Sequence, residues 1–353
     1  MKARVREAEI ELTPRIIFDE LDRYVIGQDR AKRVVAIAAY NHLKRCELRN
    51  AQKKSLLRKS NVLMIGPTGC GKTHIARQLA RILDVPISVA DATEYTEAGY
   101  YGKDIEVMVG ELLYLADHDI ELAQQGIIFI DEIDKIARRA HGARTGAGSR
   151  DIGGEGVQQS VLKLLEGREI FVPLNVTQHW NKHDFVQMDT QDILFICAGT
   201  FSDLRVYDDK TGKHLGFARE DGGAAARKPV TRKELLEYGL LSEMLGRLPV
   251  VVELDPLSED QLSEILTGPP DAIVREYEQS LELDGVELVM TPDALRVIVR
   301  YAIEQKLGAR GLRGVMEAVC HDVLFEAPER RGETITIDAD YARQRLADAD
   351  QPR

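Results

Sequence analysis

Gly66-Pro67-Thr68-Gly69-Cys70-Gly71-Lys72-Thr73 fits the pattern G-x-x-x-x-G-K-[ST], and it follows directly on the apolar run Val62-Leu63-Met64-Ile65. That order of features decides the fold. A buried strand ends, glycines let the backbone turn its N–H groups inward, and a helix from Thr73 to about Leu83 aims its positive N-terminus at the same point. The pattern implies a phosphate cradle. Lys72 would reach the β- and γ-phosphates of ATP and the Thr73 hydroxyl would hold Mg2+. Pro67, Thr68, Gly69, Cys70, Gly71 and His74 complete the stretch expected to contact nucleotide.

Outward from this loop, apolar runs of strand length recur at Ile87 to Ala90, Ile127 to Ile130, Ile193 to Cys197 and Pro249 to Val252. Uninterrupted apolar strands separated by helical segments predict an α/β fold with a doubly wound parallel sheet covered on both faces. The run Ile127-Ile128-Phe129-Ile130 continues into Asp131-Glu132, two carboxylates at the carboxyl end of a buried strand, where such sheets bind ligands. Asp131 suits the Mg2+ shell, and Glu132 suits activation of the attacking water.

Upstream, apolar positions between Ile16 and Arg49 recur at helical spacing and break at Gly27, predicting two short helices around a turn. The basic run from Lys44 through Arg45, Arg49, Lys53, Lys54, Arg58 and Lys59 reads as a solvated helix face and linker. Two segments, His141 to Gly156 and Asp208 to Lys228, are too rich in glycine or polar residues to read as packed elements. The second contains Leu215-Gly216-Phe217, apolar residues on a polar loop that suggest a partner. After Leu254 the pattern turns helical. Ser258-Glu259-Asp260-Gln261 reads as a capping box, Thr291-Pro292 as a cap with proline at the first helical position, and the residues from Asp338 onward as a final helix. The expected division is a large nucleotide-binding domain over 1–254 and a smaller, mainly helical domain over 255–353.

The 353 residues carry a net charge of −11, with 44% hydrophobic and 30% charged residues. That balance argues against wrapping nucleic acid by general electrostatics. No run approaches the ~20 apolar residues of a membrane span, and the first residues are charged where a signal peptide is apolar, so a cytoplasmic protein is expected. The four cysteines lie far apart without a C-x-x-C, which suggests neither zinc nor a disulfide framework.

With these motifs in place, the sequence resembles the AAA+ ATPases and most closely the ClpX family, over about Pro14 to Pro328. The specific stretches are Tyr24-Val25-Ile26-Gly27-Gln28, Thr96-Glu97-Ala98-Gly99-Tyr100-Tyr101-Gly102, Asp131-Glu132-Ile133-Asp134-Lys135, Gly154-Glu155-Gly156-Val157-Gln158-Gln159, Gly246-Arg247-Leu248-Pro249 and Gly308-Ala309-Arg310-Gly311-Leu312-Arg313. The resemblance implies an ATP-driven unfoldase ring, six subunits in this family, that threads protein substrates to a ClpP-like peptidase. It implies that Val25 and Ile26 pack on adenine, that Arg247 is the arginine finger reaching a neighbour's nucleotide, and that Arg310 is the sensor-2 arginine. Thr200 is the candidate for sensor 1. Gly99, Tyr100, Tyr101 and Gly102 match the aromatic pore loop, with Tyr101 in place of a small aliphatic, and Leu215, Gly216 and Phe217 match the loop that docks on the peptidase. The family's zinc-binding domain is not expected, because only about a dozen residues precede the resemblance and none is cysteine. Its basic pore-entrance loop is replaced by Gln178-His179-Trp180-Asn181-Lys182-His183. The nearest rival, an HslU-like ATPase, would carry a large inserted domain that is absent here. A stand-alone remodeller without a peptidase is the other alternative.

Overall fold

A computed structural model describes residues 12–54, 56–95, 103–137, 154–174, 185–205 and 229–349. The strands in chain order are β1 (Val62–Ile65), β2 (Ile87–Asp91), β3 (Ile127–Asp131), β4 (Glu169–Pro173), β5 (Phe185–Asp189), β6 (Leu194–Gly199), β7 (Val250–Glu253), β8 (Glu287–Met290) and β9 (Thr334–Ile337). The five apolar runs become one parallel sheet in the order β2-β3-β6-β1-β7. β1 and β6 are buried along their whole length, as strands covered on both faces must be. On one face Leu63, Ile65, Ile128, Ile130, Phe195 and Cys197 pack into a core with Val109, Leu112, Val161 and Leu165.

Register sets the functional geography. Ile65 pairs with Gly199, Asp91 with Asp131, and Ile65 with Glu253, so the carboxyl ends of the strands form one rim of the sheet. Asn61, Gly126 and Ile193, which precede β1, β3 and β6, lie at the opposite rim.

Two compact units are present. The larger runs to Phe18 and comprises Arg30–Ile65 and Ala76–Glu253; the smaller comprises Asp19–Asp29, Gly66–Ile75 and the chain from Leu254 on. The core of the smaller unit is formed by Leu266, Leu281, Ile298, Val299, Met316, Val319 and their neighbours. Its helices Glu259–Thr267 and Pro292–Glu304 begin at the anticipated caps: Ser258 and Gln261 form a reciprocal capping box, and Thr291 accepts from the Ala294 N–H. The final helix is Ala339–Ala349.

The structure departs from the sequence reading in four places. The second upstream helix, expected to be short, runs over 22 residues from Asp29 to Asn50. Two small sheets were not anticipated, the antiparallel pair β4-β5 and the parallel pair β8-β9. Gly154 and Gly156, read as part of a loop, open the helix Gly154–Glu166, and a β-carbon on Gly154 would lie 2.7 Å from the Ile136 carbonyl. The glycine there permits close packing rather than chain reversal. The basic run is also not a solvated face throughout, because Arg45 is buried in an ion pair with Asp192 at 2.9 Å and Arg49 reaches Asp192 at 2.6 Å and Asp189 at 3.0 Å.

Candidate nucleotide site

Within the smaller unit, the loop from Gly66 turns through Gly69 and Gly71, whose φ values of +77° and +100° favour glycine. At Gly71 an added β-carbon would meet nothing within 4 Å, so the loop is open on that side. Lys72 Nζ donates to the carbonyls of Gly66 (2.8 Å) and Pro67 (2.9 Å), which holds the ammonium against the loop. The helix Lys72–Leu83 begins there, with Thr73 in its first turn. An open turn, a held ammonium and a helix N-terminus suit a phosphate. Cys70 is buried, and its Sγ would lie 3.0 Å from a β-carbon on Gly66, so its side chain packs beneath the loop as well as supplying backbone.

Residues far away in sequence hold this loop. Gln28 Nε2 donates to the Cys70 carbonyl (3.3 Å) and the Asp255 carbonyl (2.7 Å), while its Oε1 accepts from the Asp255 N–H (3.0 Å). A His74 ring nitrogen lies 3.1 Å from the Tyr24 carbonyl, which brings the turn carrying buried Val25 and half-buried Ile26 to the first turn of the helix. Gly308, at φ +58°, packs backbone against backbone: a β-carbon there would lie 3.3 Å from Gly69 Cα and from the Thr68 carbonyl. Arg310 follows two residues later on the helix Gly308–Glu326, exposed, and it lines a cavity of about 510 Å³ with Glu276, Tyr277, Arg313 and Glu317.

In the larger unit, β3 delivers Asp131 and Glu132 to the carboxyl rim. Glu132 is exposed and sits in left-handed backbone (φ +55°), its N–H donating to Asp131 Oδ1 at 2.9 Å. The turn Ile133–Ile136 then buries Asp134, whose two oxygens accept from the Thr200 N–H (3.2 Å) and the Phe201 N–H (3.3 Å). Thr200, the sensor-1 candidate, is therefore fastened to the Glu132 turn by its backbone.

Arg247 lies at the other rim. Its carbonyl accepts from Asn61 Nδ2 at 3.0 Å, and Asn61 immediately precedes β1. Its guanidinium pairs with Glu166 at 3.3 Å in an exposed contact. Gly99, Tyr100, Tyr101 and Gly102 and the Leu215-Gly216-Phe217 stretch lie outside the described residues.

Residues 57–251 match the AAA domain (Cdc48 subfamily), and residues 257–337 match the C-terminal, D2-small domain of ClpB protein. The chain is 43% identical over 321 residues to the ATP-dependent Clp protease ATP-binding subunit ClpX 2 of Wolinella succinogenes, covering 91% of this chain and 79% of that protein. It is 42% identical to the ClpX subunits of Porphyromonas gingivalis (92% of this chain, 80% of that one) and Bacteroides fragilis (94% and 81%). The chain belongs to the ClpX family. It is thus an AAA+ ATPase and a Clp ATPase subunit. Among the described residues no helix is long and apolar enough to cross a membrane.

For this ClpX-family chain, sequence reasoning missed the residues that fasten the functional side chains: Gln28 at the loop, Asp134 at the Glu132 turn, Gln158 between that turn and the Leu241 N–H, and Asn61 at the Arg247 carbonyl. Gln28, Asp134 and Gln158 do stand inside stretches that carried the resemblance. The available signal was a polar residue in a motif to which no ligand contact had been assigned.

Proposed function

We propose that this chain forms an ATP-driven unfoldase ring, six subunits by family expectation, that threads polypeptide through a central pore to a ClpP-type peptidase. Lys72 and the loop N–H groups bind the phosphates of ATP, Val25 and Ile26 flank the base, and Glu132 takes the proton of the attacking water. Mg2+, held by the Thr73 hydroxyl and Asp131, neutralises phosphate charge when bound. The residues fit that ion: a hydroxyl in the first turn of the helix after the open loop, and a half-buried carboxylate at the end of β3. Arg310 senses nucleotide from the smaller domain, which we take as 255–353 after a nucleotide-binding domain of 1–254.

The observation that carries the ring is the placement of Arg247. The four residues of β1 span ~13 Å, and Arg247 is tied to their amino end, whereas Asp131 and Glu132 stand at the carboxyl rim. Arg247, which pairs with Glu166, is out of reach of its own chain's Asp131 and Glu132. A ring sets the amino rim of one subunit beside the carboxyl rim of the next, which gives this arginine a nucleotide to complete. The relatives are named as the ATP-binding subunits of a Clp protease, and this supports the peptidase partnership.

The test is ATP-dependent degradation of a tagged, stably folded reporter by the full chain, with and without the cognate ClpP. Degradation is expected only with both proteins and ATP. Phe217→Ala should lose degradation but keep ATPase activity; unchanged degradation would remove the docking role of Leu215-Gly216-Phe217, and unfolding of the reporter without any effect of ClpP would favour the stand-alone remodeller.

A further inference from the structure

Gln158 is fully buried in the larger unit, and its amide makes three hydrogen bonds. Nε2 donates to the carbonyls of Ile136 (2.9 Å) and Gly239 (3.2 Å), and Oε1 accepts from the Leu241 N–H (2.9 Å). Those partners belong to two different working parts. Ile136 closes the turn that follows Glu132, and Leu241 is the N-cap of the six-residue helix Ser242–Arg247. One amide therefore fastens the turn behind the hydrolytic carboxylate to the front of the helix that ends in Arg247.

The far end of that helix is held by a second buried amide. Asn61 donates to the Arg247 carbonyl (3.0 Å) and accepts from the Phe195 N–H (3.2 Å) in β6. A helix of six residues, ~9 Å long and pinned at both ends, cannot absorb a displacement at one end without passing it to the other. Gly154 lets the helix that carries Gln158 lie directly against Ile136, so no intervening side chain cushions the turn. Buried amides with their bonds made specify one arrangement of the elements they join.

We propose that Gln158 is a positioning residue that couples the Glu132 turn of one subunit to the placement of the Arg247 it presents to its neighbour. The inference rests on the reading of Arg247 as acting in trans. It makes each subunit's own nucleotide turn a control on the next subunit's hydrolysis, carried through the chain rather than across the ring interface.

Mixed rings test it. Glu132→Gln subunits serve as arginine donors and Arg247→Ala subunits as acceptors, and hydrolysis by the mixture above that of either alone measures the baseline. Gln158→Met, close in shape but without the amide, is then placed in the donors only. These donors have no hydrolysis of their own to lose, so any effect comes from the arginine they present. We expect at least about a fivefold fall in kcat of the mixture with KM for ATP, ring assembly and thermal midpoint little changed, since small misplacements of a reacting group can cost up to ~100-fold. Donor rates within twofold of baseline would overturn the proposal. Leu241→Pro is the second variant: it deletes the N–H that Gln158 receives, at a residue whose φ of −68° already suits proline, with Leu241→Ala as the control for the leucine side chain that packs on the core, and it carries the test if Gln158→Met fails to assemble. A baseline with no complementation would instead strike the trans reading of Arg247, and this inference with it.

Discussion

At the carboxyl rim of the parallel sheet the chain holds Glu132 and Phe201 in left-handed backbone, at φ +55° and +48°, and leaves the Glu132 side chain exposed. At the amino rim it does the reverse: Arg45 is buried against Asp192, His42 against the Gln125 carbonyl, and Asn61 between β6 and Arg247. Exposure gathers where chemistry occurs, because a reacting group must meet its ligand unencumbered, whereas left-handed backbone is shared with Asp84, Asp117 and His118 on the way into β2 and β3. Buried, paired polar groups gather where an element must stay put. The contrast teaches that exposed working groups are placed by buried, paired ones, Glu132 by Asp134 and Gln158 behind its own turn and Arg247 by Asn61.

Removing the exposed carboxylate of Glu132 should have the largest effect. Glu132→Gln is expected to lower ATP turnover by ~10²–10⁴-fold, the worth of a positioned general base, while leaving nucleotide binding near that of the parent. Steady-state ATPase and a fluorescent-nucleotide titration check the two halves. Near-normal turnover would mean that the strained carboxyl rim is not the hydrolytic one.

The converse change strikes the amino rim. Asp192→Ala leaves Arg45 buried without its carboxylate, although Arg45 Nη2 keeps the Gln191 carbonyl at 2.8 Å. Breaking a buried pair in this way costs ~3–5 kcal/mol. Urea unfolding should show a loss of that order, with the affinity for nucleotide retained in the folded fraction. A loss below ~1 kcal/mol would show that Arg45 finds water instead, and the two rims would differ less than their burial suggests.

What could be read in the sequence divides along the same line. The inner strands β1, β3 and β6 were legible because burial on both faces demands unbroken apolar runs, the edge strands β2 and β7 because their runs stay largely apolar even where Val89 and Val251 are exposed, and the caps at Ser258 and Thr291 because their partners lie three residues away. The nucleotide loop was legible because a phosphate dictates residue type position by position. Arg45 was misread as solvated, since the Asp192 that receives it lies 147 residues on and leaves no local trace; Arg49 is exposed as expected, although it too pairs with Asp189 and Asp192. Gln158 and Asn61 are silent for the same reason. β4, β5, β8 and β9 are about as long as the central strands, but charged or polar residues such as Glu169, Gln187, Glu287 and Thr336 interrupt or bound their apolar positions, and so they lack the unbroken signal of the central sheet.

Gly308 offers a sharper measure of what a close backbone approach is worth near the nucleotide loop. Alanine there would face φ +58° and contacts of 3.3 Å to Gly69 Cα and the Thr68 carbonyl, neither of which is the free end of a side chain. Strain of this kind is worth ~1–3 kcal/mol. We expect Gly308→Ala to weaken nucleotide affinity by up to about two orders of magnitude. Gly314→Ala, on the same helix with open space around it, should be nearly silent by the same titration. Equal effects at both positions would say that the helix, and not its contact with the loop, was disturbed.

The smallest predicted effect concerns pH. His42 is buried on the helix Asp29–Asn50, with Nε2 placed 2.9 Å from the Gln125 carbonyl, so that nitrogen must carry the proton of the neutral ring. Burial, with a smaller contribution from Arg45, pushes its pKa down to about 4, while the Gln125 carbonyl and Asp192 oppose the shift. A lowered pKa means that the folded chain refuses a proton which the unfolded chain accepts below ~6.5. Stability through this group is therefore complete above pH ~6.5, falls as the pH drops from 6.5 towards 4, and levels off below that. His42→Gln keeps an N–H within reach of the same carbonyl and has nothing to titrate. Chemical unfolding of parent and variant at pH 7.5 and pH 5 should show the parent losing more stability between the two conditions, with the pair close together at pH 7.5. Equal losses would mean that His42 takes up its proton in the folded state, and that the amino rim is less closed to water than its burial implies.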